Sequence, residues 1–187
     1  MWSPDLSTRR LMRAVAALSL AALTAGCFQP LYGDRAGPTG ENVVMASMRG
    51  VDVAPLVTPR GTRIDRIGVE LRNDIIFGLT GGSGNTSATH RLAISLSGSQ
   101  QQVIIDINSG RPEVQNYNLS ATYSLTDLAT GKTVVTATTF AAVSFNIPGQ
   151  QQRFAGERGL RDAENRAAQV IADNIRNRLA SYFTAGT

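Results

Sequence analysis

The stretch NLSATYSLT, residues 118–126, fits one backbone conformation. Leu119, Ala121, Tyr123 and Leu125 alternate with Asn118, Ser120, Thr122, Ser124 and Thr126. Only a strand, whose successive side chains point to opposite faces, keeps the two sets apart. One face of the sheet it joins is apolar and has to be covered; the other is polar. Such a strand commits the chain to a layered domain with its packing on one side.

The flanking segments supply neighbours for that strand and a cover for it. DLATGK turns the chain, and Val135, Ala137, Ala141, Val143 and Phe145 share one side of a further strand. Upstream, Leu92, Ile94 and Leu96 alternate, and beyond Gly98 the parity moves to Val103, Ile105 and Ile107. A one-residue slip at a glycine points to a β-bulge or to two shorter strands. Met48 to Val57, MRGVDVAPLV, reads as a short strand ended by Pro55. Two segments change to the helical period. Ile64, Ile67, Leu71, Ile75 and Leu79 predict a helix from Arg63 to Leu79, with Thr62 and Asp65 as a capping pair and Gly68 weakening its middle. Leu160, Ala163, Ala167, Val170, Ile171, Ile175, Leu179 and Tyr182 form one stripe of a last helix. Glu157–Arg161 and Asp162–Arg166 are i,i+4 pairs on its wet side. The order β-α-β-β-β-α predicts an α+β, two-layer sandwich: a mixed or antiparallel four-stranded sheet with both helices on one face.

The N-terminus has a different composition. Arg9, Arg10 and Arg13 precede the apolar run AVAALSLAAL, and small residues lead to Cys27, the single cysteine. This is the pattern of a secretory signal. The run is too short for a spanning helix, which needs about 20 apolar residues. LTAGC resembles a bacterial lipobox, in which the thiol takes a diacylglycerol and becomes the first residue after cleavage; the alternative is an ordinary signal followed by a free thiol. Phe28, where an aspartate would mark inner-membrane retention, resembles an outer-membrane address. Arg9-Arg10 leaves Sec and twin-arginine export both open. The expected organisation is a cleaved signal over 1–26, lipidated Cys27 with a flexible tether over 27–47, one domain over 48–184 and a tail over 185–187.

Charge excludes one class of partner. The net charge is +4, but three of the 18 Lys+Arg and one of the 14 Asp+Glu lie in the signal, leaving +2 for the mature chain. Basic and acidic residues alternate, so no nucleic-acid footprint forms. Lys132 is the sole lysine; the other cations are arginines, which suit bidentate contact with carboxylate or phosphate.

No catalytic set assembles. His90 is the single histidine and reads as a surface residue, Asp162 and Glu164 point different ways on one helix, and Asp52, Asp65 and Asp106 have no convergent spacing. One cysteine and one histidine give no metal site. TGGSGNTSAT lacks the Gly-Lys-Ser/Thr of a phosphate loop and precedes a strand. No enzymatic activity, metal or cofactor is expected, which leaves binding or assembly. The uncharged Asn118–Thr126 face is either a plain solvent face or one that meets another polar, uncharged wall, as in the lumen of an outer-membrane barrel.

GC followed by PLYG, the VDVAPL strand, the LRNDI helix and the closing RFAGERGLRDAENRAAQVIADNIRNRLASYF resemble the LPS-assembly lipoprotein family LptE, in its alphaproteobacterial form. The resemblance spans essentially the whole chain and includes its element order. It implies a periplasm-facing outer-membrane lipoprotein that plugs the LptD barrel and supports lipopolysaccharide delivery, catalysing no reaction. The alternative is an auxiliary lipoprotein of an ABC-type export or lipid-transport system. If consecutive elements run antiparallel, three loops share one end of the domain, and these carry Arg60, Arg63, Arg111, Arg153 and Arg158. That end is expected to face lipid A or core phosphates, or else to be a rim balanced by Asp65, Glu113 and Glu157.

Overall fold

The computed structural model describes residues 42–82, 87–105, 112–147 and 153–185. In chain order the elements are α1 (Val43–Arg49), β1 (Val51–Val53), α2 (Arg63–Thr80), β2 (His90–Ile105), β3 (Pro112–Asp127), β4 (Thr133–Asn146) and α3 (Arg153–Ala185). The four strands form one sheet in the order β1-β2-β3-β4. β1 runs parallel to β2, and the β2–β3 and β3–β4 pairs are antiparallel, so the sheet is mixed. α2 packs on β1 and β2 and α3 on β3 and β4, and the two helices pack on each other. Among the described residues no helix is long and apolar enough to cross a membrane.

The alternation of β3 decides the layers. Tyr117, Leu119, Ala121, Tyr123 and Leu125 are all buried. Leu125 pairs with Leu92 and Val135, and Leu119 with Ala141. Against them α2 sets Ile67, Leu71, Ile75 and Leu79, and α3 sets Ile171, Ile175 and Leu179, each buried. A fully buried Leu or Ile contributes about 1.5–3 kcal/mol, so this seam is the main source of stability. Thr62 caps α2 by accepting a hydrogen bond from Asp65 N at 3.3 Å. Asp65 in turn accepts from Thr58 Oγ1 at 2.8 Å and Gly61 N at 3.0 Å. These two bonds hold its carboxyl below the usual range, with Arg60 adding to the effect. Gly81 ends the helix at φ 63°, in the left-handed region that glycine adopts freely.

The structure departs from the sequence pattern at three places. First, the fold begins before Met48: Asn42 accepts hydrogen bonds from Val44 N and Met45 N and caps α1, whose Val44 and Met48 are buried four residues apart. Residues 43–47 therefore belong to a helix and not to a tether, and the following strand has three residues. Second, β2 is one strand of 16 residues with its register continuous through Gly98, and the shifts fall at Gln102–Ile104 and Ile104–Ile105. The glycine serves a close approach. A Cβ at Gly98 would overlap the Tyr117 hydroxyl and lie 3.2 Å from the ring carbon that carries it. Third, Val170 is 44% exposed and lies outside the stripe, whose buried positions include Glu164, Ala168, Ala172 and Ala180.

The Gly98 contact makes a prediction. Gly98→Ala should cost about 1–3 kcal/mol by overpacking, read as a lowered midpoint in thermal unfolding. The same substitution in a Tyr117→Phe background should cost clearly less, because the overlapping hydroxyl is gone.

Candidate functional site at the arginine end

Parallel pairing of β1 with β2 means that α2 carries the chain back along the sheet, so the β1–α2, β2–β3 and β4–α3 connections leave the same end. The start of α2 thereby meets the start of α3. Arg63 Nη2 lies 3.1 Å from Glu157 Oε2, and Arg66 bonds Glu164 Oε2 through Nη2 and Asn165 Oδ1 through Nη1 at 2.9 Å. Between the two helices opens a cleft of about 370 Å³. Arg63, Arg66, Arg158 and Arg161 line it with Glu157 and Glu164, and Phe154 and Leu160 complete the wall. The charged lining carries four cations against two carboxylates, and Phe154 is 87% exposed.

Glu164 is the unusual member. Its side chain is 4% exposed, against 65% for Asp162 two residues earlier. It occupies the buried stripe of α3 one turn beyond Leu160. Its Oε2 is held by Arg66, while Oε1 has no hydrogen bond and faces Arg63 Nη1 at 3.9 Å. Tyr117 stands nearby on β3. Burial pushes its phenol up to about 12; the Glu164 charge adds to the rise, and Arg66 and Arg63 oppose it. Further along the helix pair, burial raises the Asp74 carboxyl, assisted by Glu70 and Asp173.

Of the five arginines singled out in the sequence, Arg63 and Arg158 line the cleft. Arg60 is exposed in the turn before α2, and Arg153 opens α3. Arg111 and Cys27 lie outside the described residues. Arg66, Arg161, Glu164 and Phe154 were not singled out for this role. The available signals were the three-residue spacing of Arg63 with Arg66 and of Arg158 with Arg161, and a carboxylate inside an apolar stripe. His90 lies at the opposite end, half-buried. Its ring meets Phe183 edge-on at 5.2 Å and Tyr182 at 6.4 Å, and its Nδ1 is 2.9 Å from Thr89 Oγ1. Among the described residues no three His, Cys, Asp or Glu side chains group as metal ligands.

The outer sheet face is the second candidate surface. Asn118, Ser120, Thr122, Ser124 and Thr126 run down its centre between Ser95, Ser97 and Ser99 of β2 and Thr136, Thr138 and Ser144 of β4. Its one described ionisable side chain on these three strands is Arg91, at the β1 border, 3.3 Å from Asp52. Phe140 stands on it, 76% exposed, beside a depression of about 160 Å³ lined by Ser97, Ser99, Asn118 and Ser120.

The buried ion pair separates two arginines experimentally. Arg66→Ala should cost about 3 kcal/mol in urea unfolding because it leaves Glu164 buried and uncompensated. Arg63→Ala removes the exposed Glu157 pair and a long 3.9 Å contact with Glu164 while leaving Arg66 in place, and should cost only about 1 kcal/mol. Arg66→Met combined with Glu164→Leu should recover most of the loss. Tyr117 adds a pH dependence. Its folded pKa of about 12 lies above the ordinary value near 10, so the stability it contributes is complete below pH 10 and is lost as pH rises through 12. Tyr117→Phe should remove that share of the alkaline loss between pH 10 and 12, measured as urea midpoints.

Comparison with known proteins agrees with this architecture. The family model LptE, lipopolysaccharide-assembly, matches residues 48–179. A putative lipoprotein from Caulobacter crescentus CB15 superposes with a TM-score of 0.59 at 19% identity, covering 77% of this chain and 97% of that one. The rare lipoprotein B from Shewanella oneidensis gives 0.52 at 11% identity, covering 72% and 96%. Lipoprotein B from Nitrosomonas europaea gives 0.51 at 12%, covering 73% and 83%. At these identities the likeness concerns the fold. No curated protein sequence matches the chain. With the family model covering most of its length, the chain belongs to the LptE family of lipopolysaccharide-assembly proteins.

Proposed function

We propose that this protein is an outer-membrane lipoprotein, anchored through acylated Cys27 after removal of residues 1–26, that plugs the LptD barrel and supports delivery of lipopolysaccharide to the outer leaflet. Family membership supplies the process. The observation that carries the plug reading is the outer sheet face. A solvated face of this size ordinarily mixes charges of both signs, whereas this one offers hydroxyls and amides, with Arg91 confined to its border. Such a surface matches the polar lumen of a large barrel.

The arginine end supplies the lipid contact. Arg63 and Arg66 are engaged by Glu157 and Glu164, but Arg158 and Arg161 make no ion pair among the described residues and flank the open cleft. Together with Arg60 they offer guanidinium forks to phosphates of lipid A or the core, a role that the sequence pattern extends to Arg111 and Arg153. The hydrophobic anchor is assigned by the LTAGC pattern: two or three acyl chains hold a protein stably where one does not.

The test is recovery of partners through a C-terminal tag from membranes dissolved in mild detergent. A large outer-membrane barrel in near one-to-one ratio is the expected result; ABC-transporter components would establish the auxiliary-lipoprotein reading in its place. Arg158→Glu with Arg161→Glu should reduce lipopolysaccharide binding by roughly tenfold or more, the effect of losing charge-assisted hydrogen bonds, while leaving barrel recovery intact. Unchanged binding would remove the lipid role from this end.

A further inference from the structure

The free edge of the sheet carries an inference independent of the barrel reading. Among the described residues β4 has a strand on one side only. Cross-strand side-chain bonds show which of its main-chain groups face outward. The Thr122 and Thr138 hydroxyls are 3.1 Å apart, and Ser144 Oγ donates to Asn116 Oδ1 at 2.7 Å. Thr122 pairs with Thr138 and Asn116 with Ser144. Such close side chains mark the narrow, non-hydrogen-bonded pairs of an antiparallel ladder, whose N–H and C=O groups point away from the neighbouring strand. By that parity Thr136, Thr138, Phe140, Ala142 and Ser144 present their main chain to the open side. Arg166 of α3 agrees independently, since its Nη2 reaches round to the Ser144 carbonyl at 3.5 Å.

Edges of this length are normally guarded by lysine, proline, a bulge or a covering segment. β4, TVVTATTFAAVSFN, has no ionisable residue, no proline and no glycine over 14 residues. Its single register shift lies at the far end, at Leu125–Thr126 of β3. Phe140, at the centre of the outward set, is 76% exposed. In the helix layer beneath, Arg166 and Asn174 both touch β4, and Val170 between them is 44% exposed. Both layers therefore end in partly apolar surface along one border, guarded by charge only at the Ser144 end, where Arg166 reaches the carbonyl.

We propose that a second copy of this chain docks on this edge, antiparallel about a two-fold axis at Phe140, joining two four-stranded sheets into one of eight. An incoming strand that carried charge would place it beside a strand whose own side chains cannot pair it. β4 itself meets the requirement and is self-complementary about its centre. Thr136 then opposes Ser144 of the partner subunit, Thr138 opposes Ala142 of the partner subunit, and the two exposed Phe140 rings lie side by side. No pair sets charge against charge, and aromatic cross-strand pairs are favourable. The same operation brings the two Val170 borders together in the helix layer.

Cysteine cross-linking tests the register directly. In the full chain carrying Cys27→Ala, Phe140→Cys supplies the sole thiol. In a hydrogen-bonded antiparallel pair the two Cα atoms stand about 5.5 Å apart, inside the disulfide range of roughly 4.4–6.8 Å. Mild oxidation should give a covalent dimer, and sedimentation of the chain with native Phe140 should give twice the monomer mass. Adding Ala142→Pro removes an outward N–H without touching the β3–β4 ladder. It should cut the cross-linked fraction by roughly tenfold with unchanged circular dichroism. Failure of Phe140→Cys to cross-link, indifference to Ala142→Pro, or equal cross-linking from Ser120→Cys at the middle of the outer face would each overturn the proposal.

Discussion

The apolar side of β3 has to be covered along its length, and most of the architecture follows from that. From Tyr117 to Leu125 the strand runs about 27 Å at 3.4 Å per residue. A helix covering it needs about 18 residues at 1.5 Å each, and α3 is buried at every turn over a slightly longer span, from Leu160 to Ala180. Half of the buried positions of α3 are alanines: Ala163, Ala167, Ala168, Ala172 and Ala180. Small side chains there let the helix lie close to a sheet face that already carries Tyr117 and Tyr123. α2 is shorter, and it covers the part of the sheet that includes the three-residue β1.

Glu164 shows how this seam connects to the cleft. A carboxylate in the buried stripe of a helix is costly unless compensated, and Arg66 compensates it from α2 with one fork while bonding Asn165 with the other. Hydrophobic contacts alone would tolerate sliding of α2 along α3, whereas a buried pair of this geometry specifies one register. The same pairing leaves the first turns of both helices side by side, which is what forms the cleft. Arg158 and Arg161 are then displayed at its margin because the ion pairs beneath them already use the available carboxylates.

The sheet and its helices were legible in the sequence wherever one period ran uninterrupted. The nine residues of NLSATYSLT, the stripe of α2 and most of α3 each repeat a single signal; their order left the sheet mixed or antiparallel, and the parallel β1–β2 pairing decides for mixed. α1 was not legible, because seven residues offer only Val44 and Met48 as a stripe, and a cap by Asn42 is a common loop feature too. Gly98 misled for a different reason: a glycine that breaks parity looks like a bulge, and the side chain that requires it, Tyr117, lies on another strand. Val170 follows the helical spacing yet faces past the sheet edge, since which of two adjacent stripes is buried depends on where the sheet stops. At the site, topology located the arginine end through local order, but the partnership of Arg66 with Glu164 spans 98 residues and leaves no local trace.

Charge divides the surface of this small domain into two kinds. The arginine end concentrates guanidinium groups and carboxylates around an open cleft, where salt and anionic ligands act strongly. Among the described residues the outer sheet face carries one ionisable side chain, Arg91 at the β1 border, and Arg166 reaches the β4 edge only at Ser144, so little there repels a second surface or is lost when water is excluded. Hydroxyls and amides can exchange water for another polar wall at little net cost in either direction. A face built this way gains little from remaining exposed, and it leaves its own edge without the charges that normally keep strands from adding to one another. The feature that fits the face to an uncharged wall is therefore the one that opens β4 to a second copy when no such wall is present.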